Sequence, residues 1–412
     1  MDDERYKQDN ISQKAINSVN QGWRAFCKFL SDNDVGKTKS HQSGFYISKE
    51  AWTLMFDKPR PLGENLKHDV KIKWQDDVKT NSNFTYYGVG TRNECRLTAF
   101  GREFDFHKPE LVGSLLILVR REEGGDDYDA WVLTLEDDID AFLNFFGMSP
   151  SDTGKLIRFD GFNEQDTEAV KQDTEAVKTK KLFKEMDKFI YSLEGQFPSG
   201  RIMSSTAREL YNKIYNHLEN IIKNPDYELL KWNETEYSLF RRIEEIQFGA
   251  KIHEGFPNME SFIDTANSIL NRRKSRAGKS LEYHLEELFY RNSLAFETQV
   301  ITEEHKKPDF VFPSGAAYHN QLYSSNKLIV LGAKTTCKDR WRQVVTEADR
   351  VDTKYLCTLQ QGISCQQLHE MQSEHVVLVV PRPYIKAYPQ EYRDTILDLK
   401  TFIQFVHEKI EQ

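Results

Sequence analysis

From Trp23 to about Phe146 the chain alternates short apolar runs, such as FYISKEAWTLMF and LVGSLLILV, with clusters of Gly, Asn, Asp and Pro. Runs of this length bounded by turn residues predict a mostly β unit with a helix or two. After Pro198 the period changes. ARELYNKIYNHLENI, YELLKWNETEYSLFRRIEEI and MESFIDTANSIL space their apolar residues near 3.6, which predicts a helical layer. From Gly278 the order becomes helix (SLEYHLEELFYRN), strand (AFETQVI), strand (PDFVF), strand (KLIVLGAK), helix (DRWRQVVTEADRV), strand (YLCTL), helix, strand (VVLVV), helix. Such alternation predicts a mixed sheet flanked by helices, an α/β/α unit.

Between the two patterns lies a polar stretch with a tandem heptad, Gln165 to Lys171 repeated as Gln172 to Lys178. Two heptads whose only apolar residues are Ala and Val bury too little to hold a coiled-coil partner, so a linker or solvated helix is the economical reading. The division is therefore residues 1–160, a linker over 161–195, and 196–412. A length of 412 residues suits two such units, each with its own core.

Composition changes this picture little, with 39% hydrophobic and 29% charged residues describing an ordinary globular chain. The opening MDDERYKQDN has no apolar segment, so no secretory signal is expected. The runs at Leu111 to Val119 and Val376 to Val380 are half the length of a membrane span and fit buried strands. The five cysteines include no C-x-x-C pair, which points to a reducing cytoplasm rather than a disulfide framework or a structural zinc site. A net charge of −8 argues against a protein that coats nucleic acid, because that affinity comes from neutralising many phosphates. A selective enzyme can still concentrate positive charge in one cleft.

Candidate chemistry gathers in the second unit. Asp309 follows Pro308 and opens the strand Phe310 to Phe312, while Lys334 ends the run Leu328 to Ala333. Neighbouring strands could thus present a carboxylate and an ammonium to one cleft. Carboxylates that hold Mg(II), with a lysine to stabilise charge, suit phosphodiester hydrolysis. The usual nuclease pattern has an acidic residue two before the lysine, but Gly332 stands there and cannot bind metal. On the helix predicted from Asp339, Trp341, Val344, Val345 and Ala348 form the apolar stripe, and Arg340, Gln343 and Glu347 share the adjoining face. Glu347 is the second carboxylate on this reading, and Glu282, beside the Leu281, Leu285 and Leu288 stripe, is a further candidate. A PD dipeptide by itself decides little, since Pro225-Asp226 is another, and each of these residues also fits a turn, a cap or a solvated helix face. No H-E-x-x-H, G-x-S-x-G or Walker loop offers a competing chemistry.

Two long stretches, NRRKSRAGKSLEYHLEELF from Asn271 and KKPDFVFPSGAAYH with AKTTCKDRWRQ between Lys306 and Gln343, resemble the EcoRII-like restriction endonucleases that read CC…GG sites. In that family the second catalytic carboxylate sits on the following helix. The resemblance implies Asp309, Lys334 and Glu347 as catalytic residues, Glu282 as an additional acidic member, and Mg(II) held by Asp309 and Glu347. It implies Lys338, Asp339 and Arg340 as readers of the outer base pairs, chemistry that fits Arg or Lys on guanine and Asp on cytosine. Arg272, Arg273, Lys274, Arg276 and Lys279 would hold the DNA backbone, or else mark a solvated helix end. Tyr318 is a candidate for stacking against a flipped base.

The first unit resembles the family's effector domain more thinly, through HQSGFYIS at His41 to Ser48 and TRNECRLT at Thr91 to Thr98. This implies a β-barrel-like fold related to plant B-three DNA-binding domains, with His41, Tyr46, Arg92, Asn93, Glu94 and Arg96 on a second copy of the site. Cys95 stands where relatives carry a basic residue. The partners implied are double-stranded DNA at target and effector sites, a second copy of the chain, and a cognate DNA methyltransferase, in a prokaryotic cytoplasm and with no membrane. Competing readings are an inactive sequence-specific regulator and a structure-specific repair nuclease.

Overall fold

The computed structural model describes residues 11–35, 44–61, 63–90, 93–101, 104–157, 174–216 and 218–411. Its first part runs α1 (Ile11–Gln21), β1 (Arg24–Phe29), β2 (Phe45–Ile47), α2 (Trp52–Met55), β3 (Leu66–Trp74), β4 (Lys79–Tyr87), β5 (Glu94–Thr98), β6 (Leu115–Arg120), β7 (Asp127–Leu133), α3 (Glu136–Phe145) and β8 (Leu156–Ile157). The eight strands form one sheet in the order β2-β5-β4-β3-β7-β6-β1-β8. Only β3 and β7 pair in parallel.

Phe26 of β1 shares a core with Phe45 and Ile47 of β2, although the two strands stand near opposite ends of that order. The sheet must curl around those side chains, which is the barrel-like shape expected. The run LLILVR in β6 is buried throughout because both of its faces are covered. Leu116 and Leu118 face the curled core, while Leu115, Ile117 and Val119 pack with Ile16 and Val19 of α1 and Phe142 of α3.

The second part begins with α4 (Thr174–Ser192), α5 (Gly200–Tyr215), α6 (Asn220–Lys223) and the long helices α7 (Pro225–Glu254) and α8 (Met259–Arg291). The first copy of the tandem heptad lies outside the described residues, and the second leads into α4, whose Leu182, Met186 and Ile190 pack on α5 and α7. The order continues as β9 (Glu297–Thr298), β10 (Phe310–Phe312), α9 (Gly315–His319), β11 (Ile329–Lys334), α10 (Trp341–Val345), β12 (Lys354–Thr358), α11 (Cys365–Ser373), β13 (Val376–Val379), α12 (Arg382–Ile385) and α13 (Leu399–Glu411). The sheet order is β13-β12-β11-β10-β9, parallel from β11 to β13 and antiparallel from β9 to β11.

Period-two alternation decides which side chains share a face. Phe310, Phe312, Ile329, Leu331 and Ala333 point to α8 and α13. Val311 and Val330 point to the other layer, with Ala348 and Val351. Asp309 and Lys334 have the parity of Val311 and Val330, so both belong to the face toward α10. The second PD dipeptide is structural: Asp226 is buried and accepts hydrogen bonds from the backbone N–H groups of Arg382, Leu399 and Lys400 at 2.9–3.1 Å, which seats α13.

Candidate active site

Asp309, only 7% exposed, lies one residue before β10, and its Oδ2 accepts the Ala333 N–H at 2.7 Å. Lys334, the last residue of β11, brings Nζ to 3.5 Å from the same oxygen. Antiparallel pairing of β10 with β11 produces this meeting: Phe310 opposes Leu331, so the residue before one strand reaches the end of the other. Thr335 donates to the Ala277 carbonyl at 2.9 Å, which fastens that strand end to α8.

From α8 comes Glu282, held by Lys279 Nζ at 2.9 and 2.7 Å. Burial raises its pKa, the Asp309 charge adds to the rise, and Lys279 and Lys334 oppose it. Burial also pushes the Glu347 carboxyl up to about 7, with Lys334 opposing and Asp309 adding. Its Oε2 is buried without a hydrogen-bond partner. Three carboxylates and two ammonium groups therefore share one electrostatic neighbourhood.

Gly332 could not carry the missing acid. A Cβ there would come within 2.8 Å of Val344 Cγ2, because α10 lies directly on the strand. The helix expected to carry Glu347 instead is shorter than its periodicity suggests. It ends at Val345, and Glu347 stands in the turn that follows, its N–H donating to Val344 O at 3.1 Å. Ala348 and Val351 remain buried in that turn, which is why the apolar spacing imitated a longer helix.

The base-reading candidates lie against the first half of the molecule. Lys338, 6% exposed, donates to Ser114 Oγ at 2.8 Å. Burial lowers its pKa to about 8, with Asp339 and Glu136 pulling the other way. Glu136, at the first turn of α3, accepts the N–H groups of Asp339 and Arg340 at 2.5 and 2.9 Å and has its other oxygen 3.1 Å from Arg340 Nε. Asp140 pairs with the Arg340 guanidinium and accepts from Thr336 Oγ1 at 2.7 Å. Sequence reasoning missed Glu136, Asp140 and Ser114. The acidic first turn of α3 was the available signal, but a sequence does not show which loop lies opposite it.

Among the basic residues of α8, Lys274 and Lys279 are exposed, and Lys279 is committed to Glu282. Arg272 stacks over Phe197 at 4.6 Å. Arg273 forks onto Glu244 and donates to the Phe145 carbonyl. Arg276 is buried over the rings of Tyr237 and Phe240, 3.4 and 4.4 Å from their centroids, and presents no guanidinium to a phosphate. It belongs to the inward face that Ser280 and His284 continue at spacings of four. Tyr318 is 1% exposed with its hydroxyl on Glu303 at 2.5 Å, so its ring is packed rather than offered to a base.

In the first half, Tyr46 and Arg96 are register partners on β2 and β5. Tyr46 is exposed, whereas Arg96 is buried on Gly44 O at 3.1 Å and Glu94 at 3.3 Å. Asn93 accepts from Tyr86 Oη at 3.2 Å. Cys95 points the other way, into the curled core. His41 and Arg92 lie outside the described residues.

The chain thus joins a barrel-like β sheet to an α/β/α sheet whose strand ends gather carboxylates and lysine. Two family models match, "Restriction endonuclease EcoRII, N-terminal" over residues 19–151 and "EcoRII C terminal" over residues 240–403. The type II restriction enzyme EcoRII of Escherichia coli is 36% identical over 396 residues, 93% of this chain and 94% of that enzyme. The chain belongs to the EcoRII family of type II restriction endonucleases. The type II restriction enzyme SsoII of Shigella sonnei is 30% identical over 128 residues, 28% of this chain and 40% of that enzyme. Among solved structures, metal-depleted Ecl18kI in complex with uncleaved, modified DNA has a TM-score of 0.45 and 19% identity, covering 55% of this chain and 84% of that one.

Proposed function

We propose that this restriction endonuclease is a type IIE enzyme that makes double-strand breaks at CC(A/T)GG or a related CC…GG sequence by Mg(II)-dependent hydrolysis, under the control of effector DNA bound to its first half. The observation that carries the catalytic part is the gathering of Asp309, Lys334, Glu347 and Glu282 at one strand end. Enzymes of this class generally use divalent metal ions. Among the described residues no three His, Cys, Asp or Glu side chains are already grouped as a metal site. The donor chemistry nevertheless fits a hard cation, since Glu347 Oε2 is a buried carboxylate oxygen without a hydrogen-bond partner and lies within the field of Asp309.

On this reading Asp309 and Glu347 hold the ion, which when bound polarises the scissile phosphate and acidifies a water. Lys334, steadied by Asp309, stabilises negative charge on the phosphoryl oxygens. Glu282, clamped by Lys279, adds carboxylate capacity from the opposite layer. Lys338, Asp339 and Arg340 read outer base pairs from the same loop. Each chain carries one such cluster, so cutting both strands of a near-palindrome calls for a two-fold pair of chains. A cognate DNA methyltransferase in the same prokaryotic cytoplasm would protect the host's own sites. No helix among the described residues is long and apolar enough to cross a membrane.

Effector control is supported by the contacts of α3 and of Ser114, the residue before β6. Glu136 and Asp140 occupy the donors that Arg340 would offer to guanine, and Ser114 occupies that of Lys338. Target DNA must displace these groups before its bases can be read. Effector DNA on the first half, around Tyr46, Asn93, Glu94 and Arg96 and together with His41 and Arg92, would favour that release.

A plasmid digest with and without Mg(II) tests the catalytic assignment. Lys334→Ala should lower cleavage by about 10²–10³-fold, the range for losing one preorganised charge stabiliser in a water-poor site. Specific DNA binding should persist. Cleavage at the normal rate would refute the assignment, and sequencing the digest ends would fix the recognition site.

A further inference from the structure

Glu347 lies beyond the end of α10, so the helix does not fix it; a separate set of side chains does. Thr302, 7% exposed, directs its hydroxyl to Glu347 O at 2.6 Å, well inside the 3.2 Å to its alternative acceptor, Lys306 O. The next residue, Glu303, accepts from Tyr318 Oη at 2.5 Å and from the Asp349 N–H at 3.2 Å. Arg350 completes the knot. Its guanidinium donates to the carbonyls of Tyr318, Asn320 and Tyr323, the last two at 3.2 and 3.0 Å. Every residue of the turn from Glu347 to Arg350 is thereby held, either by these bonds or, for Ala348, by burial.

The placement of Thr302 matters for the chemistry. The loop from Thr302 to Lys306, closed by a Thr302 N–H bond to Lys306 O at 2.8 Å, leads directly into Pro308-Asp309. The same loop therefore sits at the root of Asp309 and bonds the backbone of Glu347. We propose that Thr302, Glu303 and Tyr318 are positioning residues that set the separation of the Asp309 and Glu347 carboxylates and so govern divalent-metal affinity during cleavage. This rests on the assignment of those two carboxylates made above. Outer hydrogen-bond partners of ligating groups commonly change metal affinity by about 10–100-fold. A loss at the low end of that range is expected here, because each bond acts through the backbone.

The test uses the full-length chain. Lys334→Ala, which the catalytic assignment requires to cut far more slowly, serves as the background for counting bound Mn(II) by electron paramagnetic resonance on a duplex carrying the site mapped in the digest. Thr302→Val, which replaces the hydroxyl by a methyl of similar size, and Tyr318→Phe, which removes the bond to Glu303, are each added to it. Both should weaken Mn(II) binding by about tenfold. In the Lys334 chain the same changes should raise the Mg(II) midpoint of cleavage by about tenfold and leave the rate at saturating metal within about twofold. Metal-free DNA binding should hold, and Thr302→Ser should restore the midpoint.

Unchanged Mn(II) affinity and Mg(II) midpoint would overturn the proposal. So would a uniform loss of folding, DNA binding and rate that neither metal nor Thr302→Ser reverses, because that is a structural role alone. If Lys334→Ala itself cuts DNA at the normal rate, the failure lies in the catalytic assignment instead.

Discussion

Glu136, which faces the start of the connection from β11 to β12, and Glu347, which lies further along it, are carboxylates withdrawn from water in different surroundings. Glu136, from the first half, accepts two backbone N–H groups and faces a guanidinium. Each keeps one oxygen without a hydrogen-bond partner, but burial pushes the pKa of Glu347, from the second half, up to about 7. Burying an ion is unfavourable unless pairing and hydrogen bonds repay the lost hydration, so Glu136 holds the clasped arrangement together while Glu347 is suited to receive a cation. The connection thus carries a clasped contact at Asp339 and Arg340 and, further on, a carboxylate available to a cation.

The largest break in that comparison is Glu136→Ala combined with Asp140→Ala. Removing both carboxylates frees Arg340 and the N–H groups of Asp339 and Arg340. Cleavage of a single-site substrate without added effector should rise by roughly 10–100-fold, in keeping with the few kcal/mol that charge-assisted contacts at an interface contribute. Initial rates on one-site and two-site plasmids measure it. If the double variant still needs effector DNA to the same degree, α3 is not what restrains the loop.

A smaller effect comes from pH. Lys338 has its pKa lowered from 10.5 to about 8 in the clasp, so the clasped form binds fewer protons than an opened one across that interval. Closure therefore strengthens as pH rises from about 8 toward 10.5 and is weakest below pH 8. Between pH 7.5 and 9 the opening constant should fall by at most roughly eightfold. Limited proteolysis or hydrogen exchange at Ser114 and Lys338 reports it, and Lys338→Met should flatten the dependence.

Much of the geometry of the candidate cluster was legible because β strands impose a period of two. Asp309 and Lys334 bracket apolar runs whose alternation is unambiguous, and Gly332 could be recognised as a position that needs its acid from elsewhere. Glu347 was selected as a candidate through an apolar spacing that outlasts the helix, because Ala348 and Val351 pack on the sheet from a turn as they would from a helix. What stayed hidden depends on contacts between residues far apart in sequence. Glu136 meets Arg340 across more than 200 positions, and no local pattern on either segment predicts that meeting. The surroundings of Tyr318 stayed hidden for a related reason. An aromatic residue near a catalytic strand suits stacking until Glu303 and Arg350 are seen to enclose it.

The smallest effect concerns α8, where five basic residues within eight positions looked like one patch. Successive helical residues turn by about 100°, so such a cluster is spread around the axis rather than held on one face. Lys274 faces solvent and Arg276 faces two aromatic rings. Lys274→Ala should weaken DNA binding by a few-fold at moderate salt and flatten the slope of log affinity against log salt concentration by about one unit, the signature of one lost phosphate contact. Arg276→Met should leave that slope unchanged and lower the melting temperature, because a desolvated cation over aromatic faces contributes about 2 kcal/mol. Binding isotherms at several salt concentrations, with thermal melts on the same preparations, separate the two residues. A change of slope on replacing Arg276 would mean that α8 rotates or unpacks when DNA is bound, and its buried charge would then have to be counted with the exposed ones.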